Sequence, residues 1–223
     1  MSYSRFAIYF VPPDGPLATF GATWLGWDVI LGCDVAQPDV PGLHDITMTP
    51  QKYGFHGTLK PPFRLAEGAS VEGLIQATAN LSATLRPAHC DGLELTTIGR
   101  FLALTPRGDL AGLRDVAAGC VRALDPFRAP APAGELARRR AAGLTSAQEA
   151  YLLQWGYPYV MDEFKFHLTL TGKLPEDSIA HWSDAVRQHL PALPTPFAID
   201  QIALCGERED GRFELLHRYT LSG

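Results

Sequence analysis

Two five-residue words in this 223-residue sequence combine side chains able to move protons and hold an anion. Residues 55–59 read Phe-His-Gly-Thr-Leu and residues 166–170 read Phe-His-Leu-Thr-Leu, four of five positions being identical. One copy lies in each half of the chain. Histidine has an unperturbed pKa of about 6.5, so a pair can serve as one base and one acid near neutral pH. In-line displacement at phosphorus needs a proton taken from the attacking oxygen and another given to the leaving oxygen on the opposite side. Each transfer is typically worth about 10²–10⁴-fold. A threonine two residues on projects from the same strand face, roughly 7 Å along, and its hydroxyl can donate to a non-bridging phosphate oxygen. The pattern predicts His56 and His167 facing each other across one cleft, with Thr58 and Thr169 beside them. Pseudo-symmetry makes the acid and base roles interchangeable at this level.

A single His-x-Ser/Thr means little, and the sequence supplies a decoy in His181-Trp182-Ser183, which falls on a helical pattern. The two words are set apart by shared surroundings. His44, His89, His189 and His217 have no such frame and read as structural or surface residues. No Asp, Glu or Cys stands at ligand spacing beside His56 or His167, so neither a metal site nor a cofactor is expected. No Gly-x-Ser-x-Gly elbow marks a serine nucleophile. Only four lysines stand against fifteen arginines, and all four (Lys52, Lys60, Lys165 and Lys173) lie within six residues of a motif histidine. Simple strand alternation puts Lys60 and Lys165 on the histidine faces, where ammonium groups suit phosphate oxygens. Tyr53, Tyr157 and Tyr159 are candidates for stacking on a base or ribose, and Tyr9 for facing the cleft.

The elements that must position these residues follow from periodicity. Residues 5–11 are a nearly continuous apolar run and read as a central first strand, not a signal peptide. A helix from Pro16 has Leu17, Phe20 and Trp24 as its stripe, and residues 28–50 read as loop. The first motif strand is expected to stop at Pro61-Pro62. Residues 70–85 form an amphipathic helix capped by Ser70. Strands at 93–98 and 101–104 and a helix at about 110–124 complete the half. Residues 126–163 break the rhythm and read as a helical insertion, with an arginine triplet at 138–140 and a capping box at 146–149. The second motif strand covers 164–171, followed by a helix with Ile179, Trp182, Val186 and Leu190. Phe197-x-Ile199-x-x-Ile202 repeats the spacing of Leu93-x-Leu95-x-x-Ile98, and a last strand spans 213–221. The order motif strand, helix, stepped strand, strand occurs twice, an internal duplication in an α+β protein.

A net charge of −5 argues against a non-specific nucleic-acid binder. No apolar run is long enough to span a membrane. Cys33, Cys90, Cys120 and Cys205 are scattered and read as reduced thiols of a cytoplasmic protein.

With both words set out, the sequence resembles the two-histidine (2H) phosphoesterase superfamily, whose members carry paired His-x-Thr/Ser motifs on two pseudo-symmetric lobes. The surrounding words are similar to its phosphonate-operon-associated branch. These are Arg-Phe-Ala-Ile-Tyr-Phe at 5–10, Tyr-Gly-Phe-His-Gly-Thr-Leu-Lys-Pro-Pro-Phe at 53–63, and Trp-Gly-Tyr-Pro-Tyr-Val-Met-Asp-Glu-Phe-Lys-Phe-His-Leu-Thr-Leu at 155–170. The resemblance covers essentially the whole chain. It implies one bilobal domain, each lobe an antiparallel sheet with outer helices, the first motif lobe at about 51–125 and the second at about 164–223. It implies a metal-independent phosphodiesterase acting on cyclic phosphates or 2′,5′ linkages, with His56 and His167 as the catalytic pair and Thr58 and Thr169 holding the phosphate. Members include RNA 2′,3′-cyclic phosphodiesterases and 2′,5′ RNA ligases. The 126–163 insertion and the acidic balance favour a small cyclic nucleotide or cyclic ribosyl phosphate as the partner, with RNA ends as the alternative. A non-catalytic nucleotide- or RNA-binding module is the competing reading.

Overall fold

The fold is described from a computed structural model covering residues 3–223. The N-terminal apolar run forms β1 (Phe6–Phe10), all five residues of which are buried. Its alternation serves two cores. Phe6, Ile8 and Phe10 pack into the larger one, against helices, while Ala7 and Tyr9 pack into a smaller one on the opposite sheet face with Trp27, Val29, Ala203, Cys205 and Phe213. A strand buried on both faces has no polar positions to alternate, which is why this run reads as continuously apolar.

Seven strands make one antiparallel sheet. Besides β1 they are β4 (Gly57–Phe63), β6 (Gly92–Ile98), β7 (Phe101–Arg107), β8 (Leu168–Thr169), β10 (Gln201–Glu207) and β11 (Phe213–Thr220), in the order β11-β10-β1-β4-β8-β7-β6. Short strands β2 (Trp27–Asp28) and β3 (Cys33–Asp34) pair with each other, as do β5 (Ala88–Cys90) and β9 (Phe197–Ile199). Helices α1 (Pro16–Leu25), α2 (Leu43–Gln51), α3 (Val71–Ser82), α4 (Ala111–Ala123) and α7 (Ile179–His189) supply residues to the larger core, and α5 (Ala133–Arg140) and α6 (Ser146–Trp155) belong to the insertion. This is the expected α+β architecture. A four-strand block (β11-β10-β1-β4) and a three-strand block (β8-β7-β6) meet at a seam, where β4 and β8 share the register pair Gly57↔Leu168.

The strand order corrects several expectations. The motif strands exchange partners: β4 lies beside β1 and the C-terminal hairpin, whereas β8 lies beside the hairpin of the first half. Segments 51–125 and 164–223 therefore each contribute to both blocks. The repeated spacing at 93–98 and 197–202 does not mark equal elements either. The first lies within β6, whereas the second straddles a break at Asp200 between β9 and β10. Residues 28–50 are not all loop, because β3 and α2 lie there; five Pro and Gly residues hid a short helix that begins after Gly42 in a left-handed turn. β4 also runs through Pro61-Pro62 to Phe63. Its pairing with β1 jumps from Ile8↔Lys60 to Phe6↔Phe63, so the two prolines occupy a bulge where no ladder N–H is required. Regular pairing in the second motif strand is confined to Leu168–Thr169. The capping box is Thr145 with Gln148, one residue earlier than read. All four cysteines are free, with only Cys33 exposed, and no helix among the described residues is long and apolar enough to cross a membrane.

Candidate active site

The seam is where the two words meet. Continuing the antiparallel register from Gly57↔Leu168 sets Thr58 opposite His167 and His56 opposite Thr169. Paired residues in an antiparallel ladder point to the same face, so all four side chains share one. The two histidines are diagonal neighbours, for which Cβ–Cβ separations are about 7–8 Å. The face is that of the smaller core, since Tyr9 pairs with Thr58 and its ring stacks on the His56 imidazole at 3.8 Å and 29°.

Each imidazole is held in the same way. Nδ1 of His56 donates to the Gly54 carbonyl at 2.9 Å, and Nδ1 of His167 donates to the Lys165 carbonyl at 2.8 Å. A carbonyl can only accept, so each Nδ1 carries the proton and each Nε2 of the neutral ring is left as an acceptor. In the first copy the bond to the residue two back follows a turn just before the strand. At Gly54 the turn needs φ +70°, and a Cβ there would lie 2.4 Å from Val29. Beyond this the two sites differ. Nε2 of His56 accepts from the Thr58 hydroxyl at 3.1 Å. His167 packs more loosely against Phe101, with ring centroids 5.7 Å apart.

Burial lowers the pKa of both histidines. For His56 it is pulled down to about 4, chiefly by desolvation and further by the charge of His167, against an opposing bond to Gly54. For His167 desolvation also lowers it, opposed by the Lys165 carbonyl. The influence of His167 on His56 is the mark of two groups sharing one site.

Beside the seam lies a cavity of about 230 Å³ lined by Thr49, Pro50, Tyr53, His56, Phe101, Thr169, Thr171 and Lys173 among others. No carboxylate lines it. Tyr53 lines this cavity, its ring 6.1 Å from that of His56. Three expectations need correction. Lys60 is buried and points away from the cavity: its Nζ donates to Val121 O at 3.1 Å and lies 3.6 Å from Asp125 Oδ1. The cause is a second register shift in β4, at Leu59 ahead of the prolines. Tyr9 faces Thr58 but Ile8 faces Lys60, so one extra residue flips the alternation and sends Lys60 into the helix-side core beneath α4. Lys165 is exposed and borders a separate depression with Phe164 and Arg114. Tyr9 is fully buried and supports His56 from below, so it cannot reach a substrate directly. Tyr157, from the insertion, is half-buried beneath the Arg139 guanidinium, 4.6 Å away, and meets Tyr159 edge-on. Its hydroxyl pKa is raised mainly by burial, and Tyr53 is among the neighbours that add to this. Arg139 and Arg140 are engaged by Glu135 and Glu149, so most of the arginine triplet is structural.

The lysines near the cavity are Lys173, which lines it, and Lys52, whose Nζ lies 4.7 Å from the Tyr53 ring centroid. The count of lysines around the histidines pointed to them, whereas strand alternation pointed to the wrong pair. Thr171 and Phe101 were missed as lining residues. Thr171 carried a signal, the i+2 step from Thr169, and its Oγ1 also accepts from Leu102 N at 3.0 Å.

Comparison with known proteins places the chain among relatives. It is 38% identical over 221 residues to the ribose 1,5-bisphosphate phosphokinase PhnN of Janthinobacterium sp. (strain Marseille), a match that covers 94% of this chain and 49% of that protein. It is 35% identical over 215 residues to the protein of the same name from Laribacter hongkongensis (strain HLHK9), covering 93% and 49%. The chain thus spans about half the length of the curated relatives it matches, and their PhnN names accord with the phosphonate-operon resemblance. Among solved structures it is similar to apo E. coli LigT (TM-score 0.48, 15% identity, all of both chains) and to TT0787 of Thermus thermophilus (TM-score 0.46, 14% identity, 98% of both). Residues 58–214 match the family described as "Protein of unknown function (DUF1045)", and the chain belongs to that family.

Proposed function

We propose that this chain is a phosphodiesterase that opens a small cyclic phosphate, a cyclic nucleotide or cyclic ribosyl phosphate, by paired-histidine acid–base catalysis. The observation that carries the reading is the doubled arrangement at the seam. Two histidines, each with Nδ1 tied to the carbonyl two residues back, share one strand face, with Thr58 and Thr169 between and beside them. That arrangement gives two Nε2 atoms for two proton transfers and two hydroxyls for one phosphate.

The asymmetry of the two sites supports a division of labour. His56 is stacked on buried Tyr9 and desolvated, and a charge on His167 opposes its protonation. His56 therefore stays neutral and is the base that takes a proton from water, while protonated His167 gives one to the leaving oxygen. Water's oxygen forms the new bond to phosphorus, the ring oxygen departs with the proton from His167, and the product is an open monoester. As phosphate enters, the Thr58 hydroxyl passes from Nε2 to a non-bridging oxygen and frees the lone pair. The half-buried site strengthens these bonds relative to water.

The kinase activity in the names of the relatives belongs, in this reading, to the half of those proteins that this chain does not span. The sequence has no Gly-x4-Gly-Lys-Ser/Thr loop to cradle nucleotide phosphates; its one Gly-Lys pair, Gly172-Lys173, is followed by Leu174. Steady-state assays on a panel of cyclic nucleotides and cyclic sugar phosphates, with a chelator present, test the proposal. Turnover should persist in chelator, and His56→Ala and His167→Ala should each lower kcat by at least about a hundredfold. Wild-type rates in both variants would refute it. Ligand binding without turnover would favour the non-catalytic module.

A further inference from the structure

Most arginines of this protein are spoken for. Arg5, Arg64, Arg128, Arg139, Arg140, Arg187, Arg208 and Arg212 all lie against carboxylates, and Lys60 lies against Asp125. Lys52 and Lys173 are different. Both are exposed, and among the described residues neither has a carboxylate within ion-pair distance. Glu207 feels the charge of Lys52 from farther off, but its oxygens are engaged by Arg5 and Ser4. Lys173 lines the cavity directly, and Lys52 lies over the ring of Tyr53, which also lines it. Lys52 is the residue that ends α2, and Lys173 follows Gly172, whose N–H donates to Ile46 O of the same helix at 2.6 Å. The Tyr53 ring connects Lys52 to His56, since it lies 6.1 Å from the His56 ring and 4.7 Å from Lys52 Nζ. In an acidic protein with four lysines, two such ammonium groups beside a cavity with no carboxylate make a local positive field.

We infer that Lys52 and Lys173 form a second anion subsite, so that the substrate is a small phosphodiester bearing a further phosphate away from the reacting centre. This rests on the phosphodiesterase reading and names its substrate class. The reacting phosphate is a monoanion, held in the proposed reaction by Thr58 and Thr169. A terminal phosphate monoester is close to a dianion at neutral pH and suits a pair of cations. Lysine suits the purpose because its ammonium is a flexible point charge that follows a phosphate without fixed geometry. The flat wall between Lys52 and His56, Tyr53, fits a sugar ring in between.

The test compares adenosine 2′,3′-cyclic phosphate with the same compound carrying a 5′-phosphate. Wild-type protein should show kcat/KM at least about tenfold higher for the 5′-phosphorylated probe, mostly through KM, since a remote anchor binds ground and transition states alike. Lys52→Met with Lys173→Met should abolish that preference and change kcat/KM for the unphosphorylated probe less than about threefold. Equal wild-type rates on both probes, or a preference that survives the double substitution, would overturn the inference. Calorimetric binding of both probes to the His56→Ala variant separates the two claims. Turnover of neither probe by the wild-type protein, with tighter binding of the 5′-phosphorylated one to the variant, removes the reaction and keeps the subsite, and equal binding removes the subsite.

Discussion

The two copies of one word have been put to different use. The first sits at the start of a seven-residue strand, on a buried tyrosine stacked at 3.8 Å, with its Nε2 engaged by its own threonine. The second sits before a two-residue strand and leans on an aromatic ring 5.7 Å away. Both keep the same Nδ1 bond, so what duplication conserves is the tautomer. What differs is the support behind the ring. A ring that is packed and desolvated stays neutral, and one that is more loosely held can accept a proton and hand it on. In the proposed reaction, that difference assigns His56 as the base and His167 as the acid.

The sharpest break in the comparison is chemical. A leaving group such as p-nitrophenolate needs no proton, so on an aryl phosphodiester His167→Ala should lose less than about tenfold in kcat while His56→Ala still loses about a hundredfold or more. The reverse pattern would swap the roles. The middle residues of the two words give the next largest effect, on stability. Leu168 is fully buried, and Leu168→Ala should cost about 2–5 kcal/mol by leaving a cavity. Gly57→Ala should cost about 1–3 kcal/mol for the opposite reason, because a Cβ there falls 2.2 Å from the Phe166 ring. Urea denaturation reads both, and a neutral Gly57→Ala would mean that Phe166 is free to move.

The pH dependence follows from the lowered histidines. A folded pKa of about 4 against about 6.5 unfolded means the unfolded chain binds more protons between those values. The stability contributed by neutral His56 is complete above about pH 6.5 and is lost as pH falls toward 4, by an amount on the order of 1–3 kcal/mol. His56→Gln should flatten that part of the stability–pH curve more than His167→Gln does. The smallest effect is expected at Lys60. Lys60→Met replaces a buried ammonium with a chain of similar length, leaves the cavity untouched, and should change kcat/KM less than about threefold, whatever it does to stability.

How far the sequence carried depends on the kind of information. Local period was enough for β1 and for α1, α3, α4 and α7, because each buries one stripe or run, and a capping-box pattern marked the insertion as helical. The pairing of His56 with His167 was legible because the word occurs twice. What failed was everything that depends on a bulge or on partner choice. Lys60 was misplaced because one extra residue in β4 reverses the alternation at that point, and that residue leaves no mark in composition. The exchange of motif strands between blocks is a property of long-range pairing, which no local pattern encodes. α2 was missed because its sequence, Leu-His-Asp-Ile-Thr-Met-Thr-Pro-Gln, has three buried positions and an internal proline.

The most direct measurement follows adenosine 2′,3′-cyclic phosphate by phosphorus NMR in the presence of wild-type protein and of the His56→Ala, His167→Ala double variant. The account predicts that wild type converts the cyclic resonance to one monoester while the double variant leaves it unchanged over the same interval. Conversion by the double variant at the wild-type rate would contradict it.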